Sequence, residues 1–109
     1  MSNTGPGKLE LAVLVAVVEL GDEDAYGLSV RREVSETRGH DYSVGAIYTT
    51  LSWLEEKGFL ESWTTEPRPE RGGRSRRQYR VTAAGSAALR ESARTAARLW
   101  NLDPGAEPA

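Results

Sequence analysis

The hydrophobic period of this 109-residue chain changes twice. Up to about residue 58, apolar residues recur every three or four positions, which indicates helices. From Phe59 to Thr64, and again from Arg77 to Thr82, apolar and polar residues alternate, which indicates two short strands. A helical pattern then returns as far as Trp100. Three helices, two strands and a final helix predict a mainly α protein of the α+β class with one small β-hairpin.

The first helix is predicted from Lys8 to Leu20, with Gly21 as the residue that ends it. It is apolar on nearly all sides, and a helix of this kind is buried on more than one face. Because a 109-residue chain forms one small domain, we expect the second face to meet another subunit.

The second and third helices have the spacing of a helix-turn-helix. The second is predicted from about Ala25 to Thr37, with Asp24 as its N-cap, and the third from about Val44 to Lys57, with Ser43 as its N-cap. The turn between them, Arg38–Tyr42, is somewhat long. These helices and the following hairpin predict a winged helix-turn-helix with an added C-terminal dimerisation helix.

The predicted domain organisation follows the same boundaries. Glu66–Ser75 is rich in Pro, Gly and Arg and forms the loop of the hairpin, and Thr82 is the N-cap of the last helix. We expect a flexible leader at 1–7, a winged-helix domain at 8–82, a dimerisation helix at 83–100 and a flexible tail at 101–109.

Several classes of function are excluded by composition. The chain has no cysteine and a single histidine, His40, so the sequence predicts neither a metal site nor a cofactor, and we expect no enzymatic activity. The longest apolar stretch, Leu11–Val18, is too short for a membrane span, and residues 1–7 lack the pattern of a secretion signal. The sequence therefore predicts a cytoplasmic protein without a membrane partner.

Charge divides the chain into two unlike parts. Met1–Glu66 carries a net charge of −7, although the whole chain has only −2. Pro67–Trp100 has nine arginines against Glu70 and Glu91. Arginine is well suited to bidentate contacts with phosphate and guanine, so the positive part favours a nucleic-acid partner.

The third helix is the candidate recognition helix, because the N-terminal part of such a helix enters the major groove. Its outer face is small and polar and lacks the charges of an ordinary solvated face. A plain amphipathic helix is the alternative, which the scarcity of charge disfavours. Small residues allow close approach, hydroxyls bind phosphates or base edges, and a valine can touch a thymine methyl. The candidates are Ser43, Val44, Gly45, Ala46, Thr49 and Thr50.

The hairpin loop is the second candidate DNA contact. Six arginines and one acidic residue, Glu70, lie between Arg68 and Arg80. A basic loop beside a recognition helix favours phosphate or minor-groove binding, and a loop that is merely kept soluble by its charge is the alternative. The predicted contacts are Arg71, Arg74, Arg76 and Arg77.

The last helix ends in an alanine-rich stripe beside Trp100. Alanines allow helices to approach closely, so the stripe indicates a subunit interface or, as the alternative, a flat ligand surface. Trp53 and Trp63 fit core, edge or interface positions equally well. The residues predicted at the effector or dimer interface are Leu9, Val13, Leu89, Ala93, Ala96, Ala97 and Trp100.

Over about residues 9–90 the chain resembles the PadR-type transcriptional regulators, in particular their small-sized branch. Four segments in this order carry the resemblance: Ala25-Tyr26-Gly27, Ser43-Val44-Gly45-Ala46-Ile47-Tyr48, Leu51-x-x-Leu54-Glu55-x-x-Gly58-Phe59-Leu60-Glu61-Ser62 and Arg77-x-Tyr79-Arg80-Val81-Thr82-x-x-Gly85.

The resemblance implies a homodimeric repressor that binds an inverted repeat in double-stranded DNA and is released by a small planar aromatic effector. It implies that the last helix mediates dimerisation, and that Ser43, Gly45, Tyr48 and Arg77 contact DNA. Tyr48 would turn its hydroxyl to a phosphate while its ring packs in the core.

Two positions depart from the family pattern, which often has Thr in place of Ala46 and Pro in place of Thr49. The operator sequence therefore cannot be carried over. The alternative function is a winged-helix module without specific DNA binding. It would bind an acidic protein through the wing, which is the β-hairpin with its arginine-rich loop.

Overall fold

A computed structural model describes residues 6–66 and 75–102, with side chains as far as Leu99. The elements confirm the predicted α+β order and the winged-helix arrangement. Most of the leader and tail predicted to be flexible, and the central part of the hairpin loop, lie outside the described residues. The elements are α1 (Lys8–Leu20), α2 (Gly27–Arg38), α3 (Val44–Glu56), β1 (Leu60–Thr64), β2 (Arg77–Val81) and α4 (Ala83–Leu102).

One hydrophobic core joins the first three helices and the hairpin. Each of α1, α2 and α3 contributes fully buried aliphatic side chains, and each such side chain stabilises the fold by about 1.5–3 kcal/mol. The hairpin closes the core from one end. The buried apolar residues are Val13, Leu14, Ala16, Val17, Ala25, Val30, Val34, Ile47, Leu51, Leu54, Leu60 and Tyr79.

The first helix has the predicted bounds and ends at Gly21, whose φ of 86° favours glycine. Its inner face lies in the core, and its outer face exposes Val15 and Val18. The prediction that Val13 lies at an interface is wrong, because its side chain is fully buried within its own chain. The helix therefore has the two apolar faces expected, with Val15 and Val18 on the outer one.

The second helix begins two residues later than predicted, and Asp24 is not its N-cap. Ala25 and Tyr26 are extended and pair with the hairpin instead: the Tyr79 amide donates to the Ala25 carbonyl at 2.8 Å, and Tyr26 forms a bridge with Gln78. This pairing overrides the local preference for helix.

The third helix follows the prediction closely and ends one residue earlier, at Glu56. Gly58, with a φ of 83°, then turns the chain into the antiparallel hairpin, in which Leu60 lies opposite Val81. Thr82 caps α4 as predicted, because its hydroxyl accepts the Gly85 amide at 3.1 Å. Among the described helices, none is long and apolar enough to cross a membrane.

Candidate nucleic-acid interface

The outer face of α3 is open to solvent from its first residue. Ile47, Leu51 and Leu54 are fully buried on the inner face, so the residues between them point away from the core. The predicted contacts Ser43, Val44, Gly45, Tyr48 and Thr49 are exposed. The structure therefore brings them together on one accessible surface. The remaining two predicted contacts on this helix, Ala46 and Thr50, are partly buried.

Ser43 and Thr50 use their hydroxyls differently. The Ser43 Oγ accepts the Ala46 amide at 3.0 Å, which caps the helix as predicted and leaves the hydroxyl hydrogen for another partner. The Thr50 Oγ1 instead donates to the Ala46 carbonyl at 2.8 Å. Of the two, Ser43 has a free donor at the exposed start of the helix, where the helix dipole also favours an anion.

Tyr48 lies across the start of α2 rather than in the core. Its side chain is 42% exposed, which contradicts the prediction that its ring packs in the core. The ring lies so close to Gly27 that a Cβ at that position would sit 2.1 Å from the Tyr48 hydroxyl oxygen. The absence of a side chain at Gly27 is therefore what allows Tyr48 to occupy this position between α2 and α3.

The turn between α2 and α3 is held by Arg31 of α2. Its Nε donates to the Tyr42 carbonyl at 2.7 Å, and its Nη2 lies 3.2 Å from an Asp41 carboxylate oxygen. Arg38 Nε donates to the Tyr42 hydroxyl at 2.7 Å. These bonds fix the turn that leads into α3.

The wing arginines fall into two groups. Arg77 is exposed, and its Nη1 is 3.5 Å from the Thr64 hydroxyl. Arg76 is partly buried, with its guanidinium carbon 3.9 Å from the centroid of the Tyr26 ring. Its backbone also exchanges hydrogen bonds with Thr65 at 3.0 and 2.7 Å. The other two predicted wing contacts, Arg71 and Arg74, lie outside the described residues.

Arg80 is also engaged within the hairpin. Its Nη2 lies 2.7 Å from a Glu61 carboxylate oxygen, and its guanidinium lies 5.0 Å from the centroid of the Trp63 ring. The cross-strand register places Arg80 opposite Glu61. Arg77 is thus the wing arginine of β2 that is most available to a phosphate.

Two residues outside the predicted set are also exposed on the outer face of α3. Trp53 is 50% exposed, and Ser52, just before it, is exposed as well. Their position in the sequence indicates that they share this face, because they lie one helical turn after Tyr48 and Thr49. The outer surface of α3 therefore extends further along the helix than its first two turns.

Three of the six predicted interface residues whose side chains the structure describes are exposed. Leu9 and Leu89 are partly buried and pack against the core, and Ala93, Ala96 and Ala97 are exposed on α4. Leu99 is 63% exposed. The Trp100 side chain lies outside the described part of the chain. The second half of α4 thus presents small apolar side chains to solvent.

A groove between α1 and α2 adds to this apolar surface. Its volume is about 350 Å³. Leu11, Ala12 and Val15 line one side, and Glu33 and Arg38 lie on the other.

Among the residues that the structure describes, Tyr79, beneath α3, has a shifted pKa. Burial, and to a smaller extent the nearby Glu55 carboxylate, raise its pKa above the usual 10.0. The ring is only 4% exposed, so the neutral phenol is held in the folded core. Within residues 6–66 and 75–102, no group of three or more His, Asp or Glu residues could hold a metal ion.

Comparisons with known proteins agree with this geometry. Residues 14–91 match the model of the transcriptional regulator PadR-like family. The transcriptional regulator Rv3488 of Mycobacterium tuberculosis is 41% identical over 78 residues, which are 72% of this chain and 68% of that protein.

Solved structures share the fold. A PadR-like transcription factor from Bacteroides fragilis superposes with a TM-score of 0.69 at 23% identity, over 86% of this chain and 84% of the other. A PadR family transcription regulator from Clostridium difficile superposes with a TM-score of 0.65 at 20% identity, over 88% and 97% of the two chains.

The family match covers the core, α3 and the hairpin, and it names transcriptional regulation, so the expectation that the chain is not an enzyme is confirmed. From its sequence match and its fold, this chain belongs to the PadR-like family of transcriptional regulators.

Proposed function

We propose that the chain is a sequence-specific DNA-binding regulator that acts as a homodimer on an inverted-repeat operator. The observation that carries this proposal is the outer face of α3, which is exposed, nearly free of charge and lined by small and hydroxyl side chains. Gly45 and Thr49 lie at its centre and are both exposed. The first two turns of this surface carry no charge, so they can approach base edges closely without repelling phosphates.

In this proposal, α3 lies along the major groove, with its N-terminal end beside a phosphate. Ser43 donates its free hydroxyl hydrogen to a phosphate, and Thr49 faces a base edge. Arg77 binds the backbone beside the groove. Two copies of α3, about 34 Å apart, would reach successive major grooves on one side of the duplex.

The dimer is proposed to form through the second half of α4. Residues 93–99 are all exposed in the single chain, and an unpacked helical end is marginal in water. The exposed Val15 and Val18 on α1, with the groove between α1 and α2, offer an apolar surface for the α4 of a second copy.

Ala96→Glu tests this interface, because it places a charge in the alanine stripe. The variant should be a monomer by light scattering. Thr95→Glu is the matched control: it introduces the same charged side chain at the adjacent exposed position, outside the stripe, and should remain a dimer. A dimeric Ala96→Glu variant contradicts the proposed interface.

Repression and its relief follow from the same arrangement. A planar aromatic effector bound between α1 and α4 would favour a different spacing of the two α3 helices. The effector's difference in affinity for the two spacings sets how far their populations shift. Titration of phenolic compounds into the protein–DNA complex tests this step. Unchanged anisotropy of the complex across a range of such compounds contradicts it.

The DNA-binding proposal itself is tested by fluorescence anisotropy. Labelled DNA from upstream of the chain's own gene is compared with a scrambled duplex at several salt concentrations. We expect tight, selective binding that weakens steeply with salt, because phosphate contacts release counterions. Thr49→Glu should abolish selective binding, whereas Thr95→Glu should not.

Weak, salt-insensitive binding of both duplexes would favour the alternative, a winged-helix module that binds an acidic protein. A pull-down with the unsubstituted protein would then follow, with Arg77→Ala as the comparison.

A further inference from the structure

The outer face of α3 lacks the side chains that usually read purines. Between Val44 and Glu56 there is no Arg, Lys, Asn or Gln. Arg and Lys are the common readers of guanine, and Asn and Gln those of adenine, through two hydrogen bonds each. If α3 enters the major groove, it therefore reads bases by hydroxyl groups, by apolar contact or, at Glu56, by accepting a hydrogen bond from a cytosine amino group.

The same face has a depression, which we call the α3 saddle. Two half-exposed aromatic rings form its walls, and the hydroxyl side chains between them are exposed. The carboxylate at its far end belongs to the last residue of the helix. The lining residues are Tyr48, Thr49, Ser52, Trp53 and Glu56.

Both walls are held in place by neighbouring elements. The Tyr48 ring lies against Gly27 of α2, where a Cβ would sit 2.6 Å from the ring edge. Trp53 has the Lys57 ammonium 5.3 Å from its ring centroid, and that ammonium lies 3.3 Å from a Glu10 carboxylate oxygen of α1. Two apolar walls that rest on these contacts form a receptor for a small apolar group before it binds, which lowers the cost in side-chain entropy.

From this geometry we infer that the α3 saddle receives the C5 methyl of a thymine. The inference rests on the DNA-binding function proposed above and names the base that α3 reads. The thymine methyl is the apolar group that base edges present in the major groove. The hydroxyls of Thr49 and Ser52 then face the polar edges of the same or the adjacent base pair.

Glu56 strengthens the choice of a base over the phosphate backbone. Its carboxylate lies at the end of the saddle and repels phosphate, so a sugar–phosphate strand is a poor occupant. A base edge carries no net charge and is not excluded. The operator half-site is therefore expected to place at least one thymine opposite the second and third turns of α3.

The experiment replaces thymine by deoxyuridine, which removes the methyl and leaves the hydrogen-bonding edge unchanged. The duplex is one that the full chain selects from a randomised pool, and each thymine is replaced in turn. At one or two positions in each half-site, the affinity should fall about three- to fivefold, as expected for one buried methyl group.

Trp53→Ala should remove this preference, so that the thymine and deoxyuridine duplexes bind equally at those positions. The ratio of the two affinities is the decisive measurement, because a general loss of stability would weaken both duplexes alike. Trp63→Phe is the control, since Trp63 packs under Arg80 in the hairpin, and it should keep the ratio of the unsubstituted protein.

The outcomes separate the inference from the function on which it rests. Selective binding without any effect of deoxyuridine overturns the thymine inference and leaves the DNA-binding function standing. A thymine preference that survives Trp53→Ala overturns the assignment to the saddle. Failure to select any duplex overturns the proposed function, and the inference with it.

Discussion

The recognition helix and the hairpin form the two sides of the proposed DNA surface, and their chemistry is opposite. Between Val44 and Glu56, α3 has no basic residue, whereas Arg76, Arg77 and Arg80 lie within five positions at the start of β2 and along it. Two of these three already contact protein groups: Arg76 stacks on Tyr26, and Arg80 pairs with Glu61. The number of arginines in the sequence therefore overstates the positive charge that is available to a ligand.

On each side of this surface, another part of the chain packs closely against a glycine. The two glycines differ in whether a side chain or the backbone lies against them. On the α3 side, a Cβ at Gly27 would meet the tip of the Tyr48 side chain. On the hairpin side, a Cβ at Gly85 would lie 2.3 Å from the carbonyl oxygen of Phe59, which is backbone. The Tyr48 side chain can rotate away from an added Cβ. The Phe59 carbonyl belongs to the backbone between α3 and β1, which cannot shift without displacing both of these elements.

The largest expected effect is therefore that of Gly85→Ala. We expect a loss of about 3 kcal/mol in the free energy of unfolding, at the upper end of the usual cost of overpacking. Gly27→Ala should cost about 1 kcal/mol, because Tyr48 can turn outward. Urea unfolding of the two variants checks this order. Equal losses, or a larger loss for Gly27→Ala, would contradict the distinction between the two sites.

A pair of substitutions at Ser43 separates stability from binding on the α3 side. Ser43→Ala removes the cap of the helix and should cost about 1 kcal/mol of stability. Ser43→Asp keeps a capping oxygen, so its stability should match that of the unsubstituted protein. It also places a negative charge where a phosphate is proposed, and DNA affinity should fall about tenfold, which is about 1.4 kcal/mol.

Thermal unfolding and anisotropy measured on the same samples check the Ser43 pair. Undiminished DNA affinity of the Ser43→Asp variant would place the start of α3 away from the phosphates.

On the hairpin side, Arg77→Ala and Arg76→Ala should give different signatures. Arg77→Ala should lower the slope of log affinity against log salt by about 0.9 for each phosphate that the arginine neutralised, without changing stability. Arg76→Ala should leave the slope unchanged and cost about 0.5–1 kcal/mol of stability, because it removes the cation stacked on Tyr26. A salt slope that depends on Arg76 would show that stacking does not prevent it from binding phosphate.

Much of the fold could be predicted because its determinants are local. Each determinant affects only positions a few residues away in the sequence. These determinants are the period of the apolar residues, the glycines at helix ends, Gly21 and Gly58, and the caps Ser43 and Thr82. The start of α2 could not be predicted in this way. It depends on hydrogen bonds between residues 25–26 and β2, more than fifty positions away.

The candidate site shows the same division. The accessible start of α3 follows from helical periodicity, and five of its predicted contacts are exposed. Helical periodicity does not show which of these groups already has a hydrogen-bond or packing partner within the chain. The Thr50 hydroxyl is bonded within the helix, Tyr48 rests on Gly27, and Val13 is buried, and each of these outcomes is set by packing. For the same reason, the sequence pattern fits Trp53 to core, edge or interface positions equally well.

The smallest expected effect concerns Tyr79, which lies between the two sides, on β2 and beneath α3. Burial raises its pKa, so the folded state holds the neutral phenol and the unfolded state ionises first as pH rises. Its contribution to stability is therefore complete below pH 10 and is lost as pH rises above that value. Tyr79→Phe has no group to ionise, and its free energy of unfolding should fall less steeply with pH in that range.

Urea unfolding of both proteins from pH 8 to pH 11 measures the Tyr79 effect. Below pH 10 the difference between the two should stay constant, since other groups titrate alike in both. Above it the unsubstituted protein should lose its stability relative to the variant. Parallel curves throughout would mean that the phenol is solvated on the folded hairpin, and that the contact between α3 and the wing is looser than the packing of Tyr79 indicates.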